Sequence, residues 1–402
     1  MHINVPVVMF HSVMTRQYGW CFEYLTEVDS DFERKLAYLK ERGYETITLK
    51  ELYNYMKTGE SIPSRAIVLT FDDGYLDNWV VVFPLLKKYG FTGVVFVNCD
   101  FVDPNEGCRY NLEDLWSGRC SMQDIKELGY LSWAEMREME KSGAIDIQSH
   151  SLTHTWYFKS DKILDFHHPG DQSKYPWLAW NARPDKQYRW MTDDQERFVP
   201  YGAPIYDYGR SLGVRRYYED GHLRDILINH VKAHGDLHYF EKNRWREELF
   251  DVVAQYCKVH ALQGRYETEE DYKFRVRHEL SENKRILEER LNKKIEFLCW
   301  PGGAYNETSL CIARDCGYLA STVKEGRNTY GDDASKINRI SSGNPDGADN
   351  FPWRYKILTF AFYLERFRGN MLCLIMDKFY RLMTTSKLNR DKGSVDVGTV
   401  TV

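Results

Sequence analysis

Ala66-Ile67-Val68-Leu69-Thr70-Phe71-Asp72-Asp73-Gly74-Tyr75 is a largely apolar, β-branched run that stops on two adjacent carboxylates and a glycine. An unbroken apolar run of this length reads as a strand buried on both faces, the kind found in parallel sheets. Side chains alternate along a strand, so Asp72 and Asp73 should point to different sides. Two acids at the end of a buried strand are costly to desolvate unless something pairs with them. One of them can hold a cation while the other stays free to move a proton. Gly74 lets the backbone turn sharply behind them.

Outward from this strand the chain alternates strand and helix. Residues 5–10 read as a short strand ending at His11, and residues 29–42 as a helix. Asp29 or Ser30 is its expected cap, with Phe32, Leu36 and Leu39 on one face. A strand over 46–49 and a helix over 50–57 precede the 66–71 strand. A helix over 78–89, kinked or started late by Pro84, and a strand over 93–97 follow it. Residues 100–130 read as irregular. A helix over 133–141, with Ser132 and Glu135 at capping-box spacing, leads into a strand over 144–148. That strand delivers His150-Ser151-Leu152-Thr153-His154. Residues 155–240 break the rhythm with tryptophans, tyrosines, prolines and glycines, and read as an insertion. Helical patterns over 241–260 and 267–292, a strand over 295–300, a helix over 307–316 and a last core strand over 320–323 then resume it. Residues 324–350 read as loop. This alternation predicts an α/β fold, a parallel sheet wrapped by helices.

Composition narrows the function. The chain has 402 residues and a formal charge of -5, which gives no sign of the basic face a nucleic-acid partner requires. Its 11 Trp and 28 Tyr exceed what a core needs and suit stacking on sugar rings or a place at a membrane interface. The start of the chain has no secretory pattern, and no run of about 18 uncharged apolar residues is present. Nine cysteines, odd in number and without a CxxC, fit a reducing compartment, so the expected location is cytoplasmic.

His150 and His154 are four apart, so a helical turn would put both rings on one face, as two ligands of one metal require. They follow a buried strand, as Asp72 and Asp73 do, and strand ends in a parallel sheet share a rim. Two histidines and one aspartate make an open three-ligand site of the catalytic kind. A metal there lowers the pKa of bound water and polarises a carbonyl oxygen. The other aspartate is then the natural base. Trp300-Pro301-Gly302-Gly303 follows the 295–300 strand onto the same rim, where backbone N–H groups can meet a developing oxyanion.

These residues resemble the NodB-like polysaccharide deacetylases, carbohydrate esterase family 4. Thr70-Phe71-Asp72-Asp73-Gly74 looks like the first motif, His150-Ser151-Leu152-Thr153-His154 like the second, and Pro301-Gly302-Gly303 sits where the third lies. The resemblance implies a distorted (β/α) barrel and hydrolysis of N-acetyl groups on amino sugars with a divalent metal, often zinc. It implies Asp72 as base, Asp73, His150 and His154 as metal ligands, and the backbone near Gly302 as oxyanion donor. Two features depart from the pattern. Cys299 stands where the third motif has an arginine, and Gly302 where it has an aromatic. The late Leu-x-His motif is not evident. Val8-Met9-Phe10-His11-Ser12-Val13 instead resembles the start of the permuted subgroup that deacetylates poly-N-acetylglucosamine, which makes His11 the candidate acid.

On this reading residues 1–154 and 241–350 are the two parts of the barrel, 155–240 an aromatic-rich insertion over its rim, and 351–402 an amphipathic helical extension with a polar tail. Trp156, Tyr157, Trp177, Trp180 and Trp190 are candidates for sugar stacking or for the insertion's own core. The apolar and basic stretch 351–383 is expected either to dock on the barrel or to lie on an anionic membrane. The expected partner is an N-acetylated amino-sugar glycan. An amidase acting on a non-sugar C–N bond and a silent carbohydrate-binding protein are the alternatives.

Overall fold

The computed structural model describes residues 3–324, 326–342 and 353–370. Around its main sheet the strands run Val7–Phe10, Ala66–Phe71, Gly93–Val97, Ile145–Ser149, Phe297–Leu298, Ala320–Val323 and Lys336–Asn338, each parallel to the next. Ile340–Ser341, directly beyond the last of these, pairs in parallel with Val7–Phe10. One chain segment therefore bonds to both ends of the sheet and brings it close to a closed barrel, as expected from the resemblance. Alternation along the strands splits the core in two. Val8, Leu69, Val95 and Leu298 face one cluster, Val7, Val68, Phe96 and Phe297 the other.

Departures from the predicted elements have local causes. The strand at 46 stops at Thr46 because Thr48 caps the next helix, Leu49–Thr58, in a capping box with Glu51. Asp29 and Ser30 lie inside the helix Asp29–Glu41 and do not cap it. Pro84 sits in the first turn of Phe83–Tyr89, behind a π-helical stretch Asn78–Val82, so the late start holds. Ala320–Val323 is not the last strand. Lys336–Asn338 and Ile340–Ser341, inside the stretch read as loop, close the barrel by tertiary pairing alone.

The insertion is built on an antiparallel pair, Trp156–Phe166 with Pro204–Arg210. Its core joins Phe166, Tyr201 and Leu227 to Trp245, Leu249 and Tyr256. Arg265–Tyr266 pairs with Tyr217–Tyr218. Helix Trp245–Val259 thus packs in the same cluster as the hairpin's Phe166 and not in the barrel's main core. A helical pattern at 241–260 reports an apolar stripe but not which core that stripe joins.

Helix Trp353–Phe367 docks on the barrel. Phe360 and Leu364 are buried in the main core. Lys356 Nζ lies 2.8 Å from Asp31 Oδ2, and Glu365 accepts from Tyr44 and Arg65. The docking alternative describes this part of 351–383. Residues 371–402, with the rest of the proposed membrane stretch and the polar tail, lie outside the described residues. No helix among the described residues is long and apolar enough to cross a membrane.

Candidate active site

Strand register assembles the rim. Phe10 pairs with Phe71, so His11 and Asp72 emerge side by side. Ser149 pairs with Val97 and Leu298, so His150 and Cys299 leave the barrel next to each other. His11 Nε2 lies 3.8 Å from Asp72 Oδ2.

Asp72 is buried and paired. Arg339 Nη1 donates to its Oδ1 at 2.6 Å and Nη2 to its Oδ2 at 2.9 Å, a two-pronged bond. Cys299 Sγ donates to Oδ2 at 3.4 Å. Burial opposes the charge, yet Arg339, His150 and His11 outweigh it and hold the carboxyl below its ordinary value. The arginine absent at position 299 is thus matched by Arg339, which stands between the two short strands that close the barrel. Sequence reasoning missed it. The one signal was an arginine set between two isoleucines in Ile337-Asn338-Arg339-Ile340.

Asp73 faces the other way. The expected separation of the two acids holds, helped by a left-handed backbone at Asp73, φ 72°. Its Oδ1 lies 3.1 Å from His150 Nε2 and 3.2 Å from His154 Nε2. The 150–154 segment is not helical. Ser151 and His154 have φ of 67° and 46°, and the bent turn, not a helix face, brings the two rings together. Glu279 holds this turn, accepting from Thr153 N–H at 3.1 Å and its hydroxyl at 2.7 Å, and Asn98 donates to the His150 and Ser151 carbonyls. His150 Nδ1 is 2.8 Å from the Cys299 carbonyl, a bond in which that nitrogen must donate, so its lone pair is assigned to Nε2.

Asp73 Oδ1 is buried and takes no hydrogen bond among the described residues, although both imidazoles sit within reach. Two imidazole nitrogens and a carboxylate oxygen within 4.8 Å of one another, with the tautomer of one fixed from behind, fit a divalent cation.

The third loop is a tight turn, Pro301–Gly303. The Gly303 and Ala304 amides bond back to the Trp300 and Pro301 carbonyls, at 2.9 and 3.1 Å. The Gly302 N–H keeps no partner among the described residues. Gly302 has φ 52°, and a Cβ there would fall 1.9 Å from Arg210 Cζ. Arg210, at the end of the insertion's hairpin, donates to the Gly302 carbonyl and fills the space a side chain at 302 would need. It too escaped sequence reasoning, because nothing local links the two segments. Trp300 and Pro301, expected at the oxyanion site, are instead buried support. Trp300 is wholly inside the core against Tyr305.

His11, Asp72, Asp73, His150, His154, Gly302 and Arg339 all line one cleft of about 450 Å³. Trp156, Trp180 and Trp190 line it too, joined in a buried aromatic cluster with Tyr130 and Phe101. Tyr157 and Trp177 do not; they face a separate cavity. Burial pushes the His11 imidazole below its ordinary value, against the pull of Asp72 and Asp73.

Residues 59–197 and 214–321 match the polysaccharide deacetylase family. YxkH of Bacillus subtilis (strain 168), named for that family, is 29% identical over 152 residues, which are 38% of this chain and 43% of its own. The poly-beta-1,6-N-acetyl-D-glucosamine N-deacetylase of Escherichia coli (strain K12) is 25% identical over 122 residues, 30% of this chain and 17% of its own. The matched stretch spans less than half the length of either relative. The solved deacetylase domain of BpsB from Bordetella bronchiseptica shares the fold, with a TM-score of 0.50 at 19% identity over 84% of this chain and 96% of that one.

Proposed function

Since the chain belongs to the polysaccharide deacetylase family, we propose that it hydrolyses N-acetyl groups from the amino sugars of a glycan. The observation that carries this reading is the division of labour between the two acids. Asp72 is clamped by Arg339 beside His11, while Asp73 faces His150 and His154. The name of the Escherichia coli relative supports an N-acetylglucosamine polysaccharide as the substrate, and the tryptophan-lined cleft suits sugar rings.

Asp73, His150 and His154 would hold a divalent cation, and zinc suits this donor set. Bound there, it supplies Lewis-acid polarisation of the acetyl carbonyl and a lowered pKa for water. Asp72 takes the proton of the attacking water on a carboxylate oxygen, and Arg339 keeps that carboxylate ionised and fixed. The Gly302 N–H donates to the oxyanion as the new C–O bond forms. His11 Nε2 gives a proton to the amide nitrogen as the C–N bond breaks, leaving acetate and a free amine.

The test is acetate release from N-acetylglucosamine oligomers by the wild-type chain and by Asp72→Asn. Release by the wild type, reduced by about 10²-fold or more in the variant, is expected. An unreactive wild type with acetylated non-sugar amides cleaved instead would favour the amidase reading.

A further inference from the structure

We propose that the catalytic cleft selects a substrate bearing an anionic group, a carboxylate or a phosphate, on the acetylated sugar or on its neighbour. This rests on the deacetylase reading for the identity of the site. The observation behind it is a surplus of positive charge at the loop that presents the Gly302 N–H. Both glycines of that loop are covered by long basic side chains. The Arg210 guanidinium lies over Gly302, and Lys324 lies over Gly303, with its Cε 2.7 Å from where a Cβ would stand. Arg210 comes from the insertion's hairpin, and Lys324 directly follows the barrel strand Ala320–Val323. Both line the catalytic cleft.

The cleft's two carboxylates are already matched. Asp72 is clamped by Arg339, and Asp73 lies against His150 and His154. Arg210 and Lys324 make no ion pair among the described residues. Lys324 is exposed, and its Nζ has no hydrogen-bond partner among them. Arg210 is partly buried, with its guanidinium 6.0 Å from the centre of the Trp156 ring. Its Nη1 donates to the Gly302 carbonyl and its Nε is buried, which leaves Nη2 accessible and without a partner among the described residues.

Two unmatched cations in one concave site focus a positive potential that draws anions. Guanidinium and ammonium groups bind carboxylate or phosphate oxygens through charge-assisted hydrogen bonds. Because both side chains lie on the oxyanion loop, the anion they recognise is close to the reacting acetamide. A homopolymer of neutral amino sugars fits this lining less well. Each acetyl group removed leaves an ammonium, and such a unit beside the loop would face Arg210 and Lys324 as a like charge. An anionic neighbour offsets them instead.

The probes are two matched pairs. A tetramer alternating N-acetylglucosamine with glucuronate is compared with the neutral N-acetylglucosamine tetramer, and N-acetylglucosamine 1-phosphate with the free sugar. The first pair reports a carboxylate and the second a phosphate. In at least one pair the wild type should show a kcat/KM at least about tenfold higher for the anionic member. That ratio should fall toward one in Lys324→Glu and in Arg210→Gln, and shrink as salt is added. A ratio cancels any effect of the substitutions on the loop itself. Acetate release with no anionic preference in either pair would overturn the proposal and leave the deacetylase reading standing. So would an equal loss on both members of a pair in the variants, which would assign the two cations to the oxyanion alone. If no probe releases acetate, calorimetric titration with the anionic probes decides. Binding that Lys324→Glu weakens keeps the anion site while the deacetylase reading falls, and no binding removes both.

Discussion

At the scale of single residues, the site turns on how two neighbouring acids acquire different partners. Asp72 ends a strand and meets a two-pronged arginine, and Asp73 turns left-handed and meets two imidazoles. Arg339 lowers the pKa of Asp72, and as the proposed base Asp72 would act in its ionised form, so weakening the clamp should raise the pKa and move the acid limb of the kcat/KM profile to higher pH. Arg339→Lys keeps the charge but not the fork. It should show that shift with the fold retained, as read by circular dichroism; an unmoved acid limb would deny Arg339 the role of orienting the base. His11→Ala should fold, bind metal, and lose about 10²-fold or more of its turnover. Near-normal turnover would remove the histidine from the reaction. The Asp-Asp pair and the two histidines were legible in sequence because each motif is local and ends a recognisable strand. Arg339 was not, because its flanking strands are three and two residues long and exist only through pairing with distant partners.

At the scale of elements, the third loop and the insertion depend on each other. The glycine at 302 looked like a weakened motif. In the fold it is a requirement, since Arg210 from the insertion's hairpin occupies the volume a Cβ would take. Gly302→Ala meets both that clash and a left-handed backbone, which alone costs about 1–2 kcal/mol. It should lower kcat sharply with a smaller loss of stability, and Arg210→Ala in the same chain should restore part of the activity by freeing the space. If the double variant is as inactive as Gly302→Ala, packing between these elements does not govern the loop. A substitution that leaves a gap is a signal sequence can offer. It says that something else must fill the space, but not which segment does.

At the scale of the whole molecule, the barrel is closed by joining the first strand to the last among the described residues, and the candidate acid and the clamp on the candidate base come from those two ends. The parallel barrel was readable from alternating patterns and from three spaced motifs. That helix Trp245–Val259 packs with the hairpin was not, because periodicity does not identify the core a helix joins. The central claim is that Asp73, His150 and His154 hold the metal on which acetate release depends. The most direct measurement follows bound zinc and acetate release together, in wild type and His150→Ala, before and after chelation and zinc return. The account predicts wild-type release that chelation abolishes and zinc restores, with the variant deficient in both metal and activity. Full metal occupancy in His150→Ala, or wild-type release indifferent to chelation after the metal has gone, would contradict it.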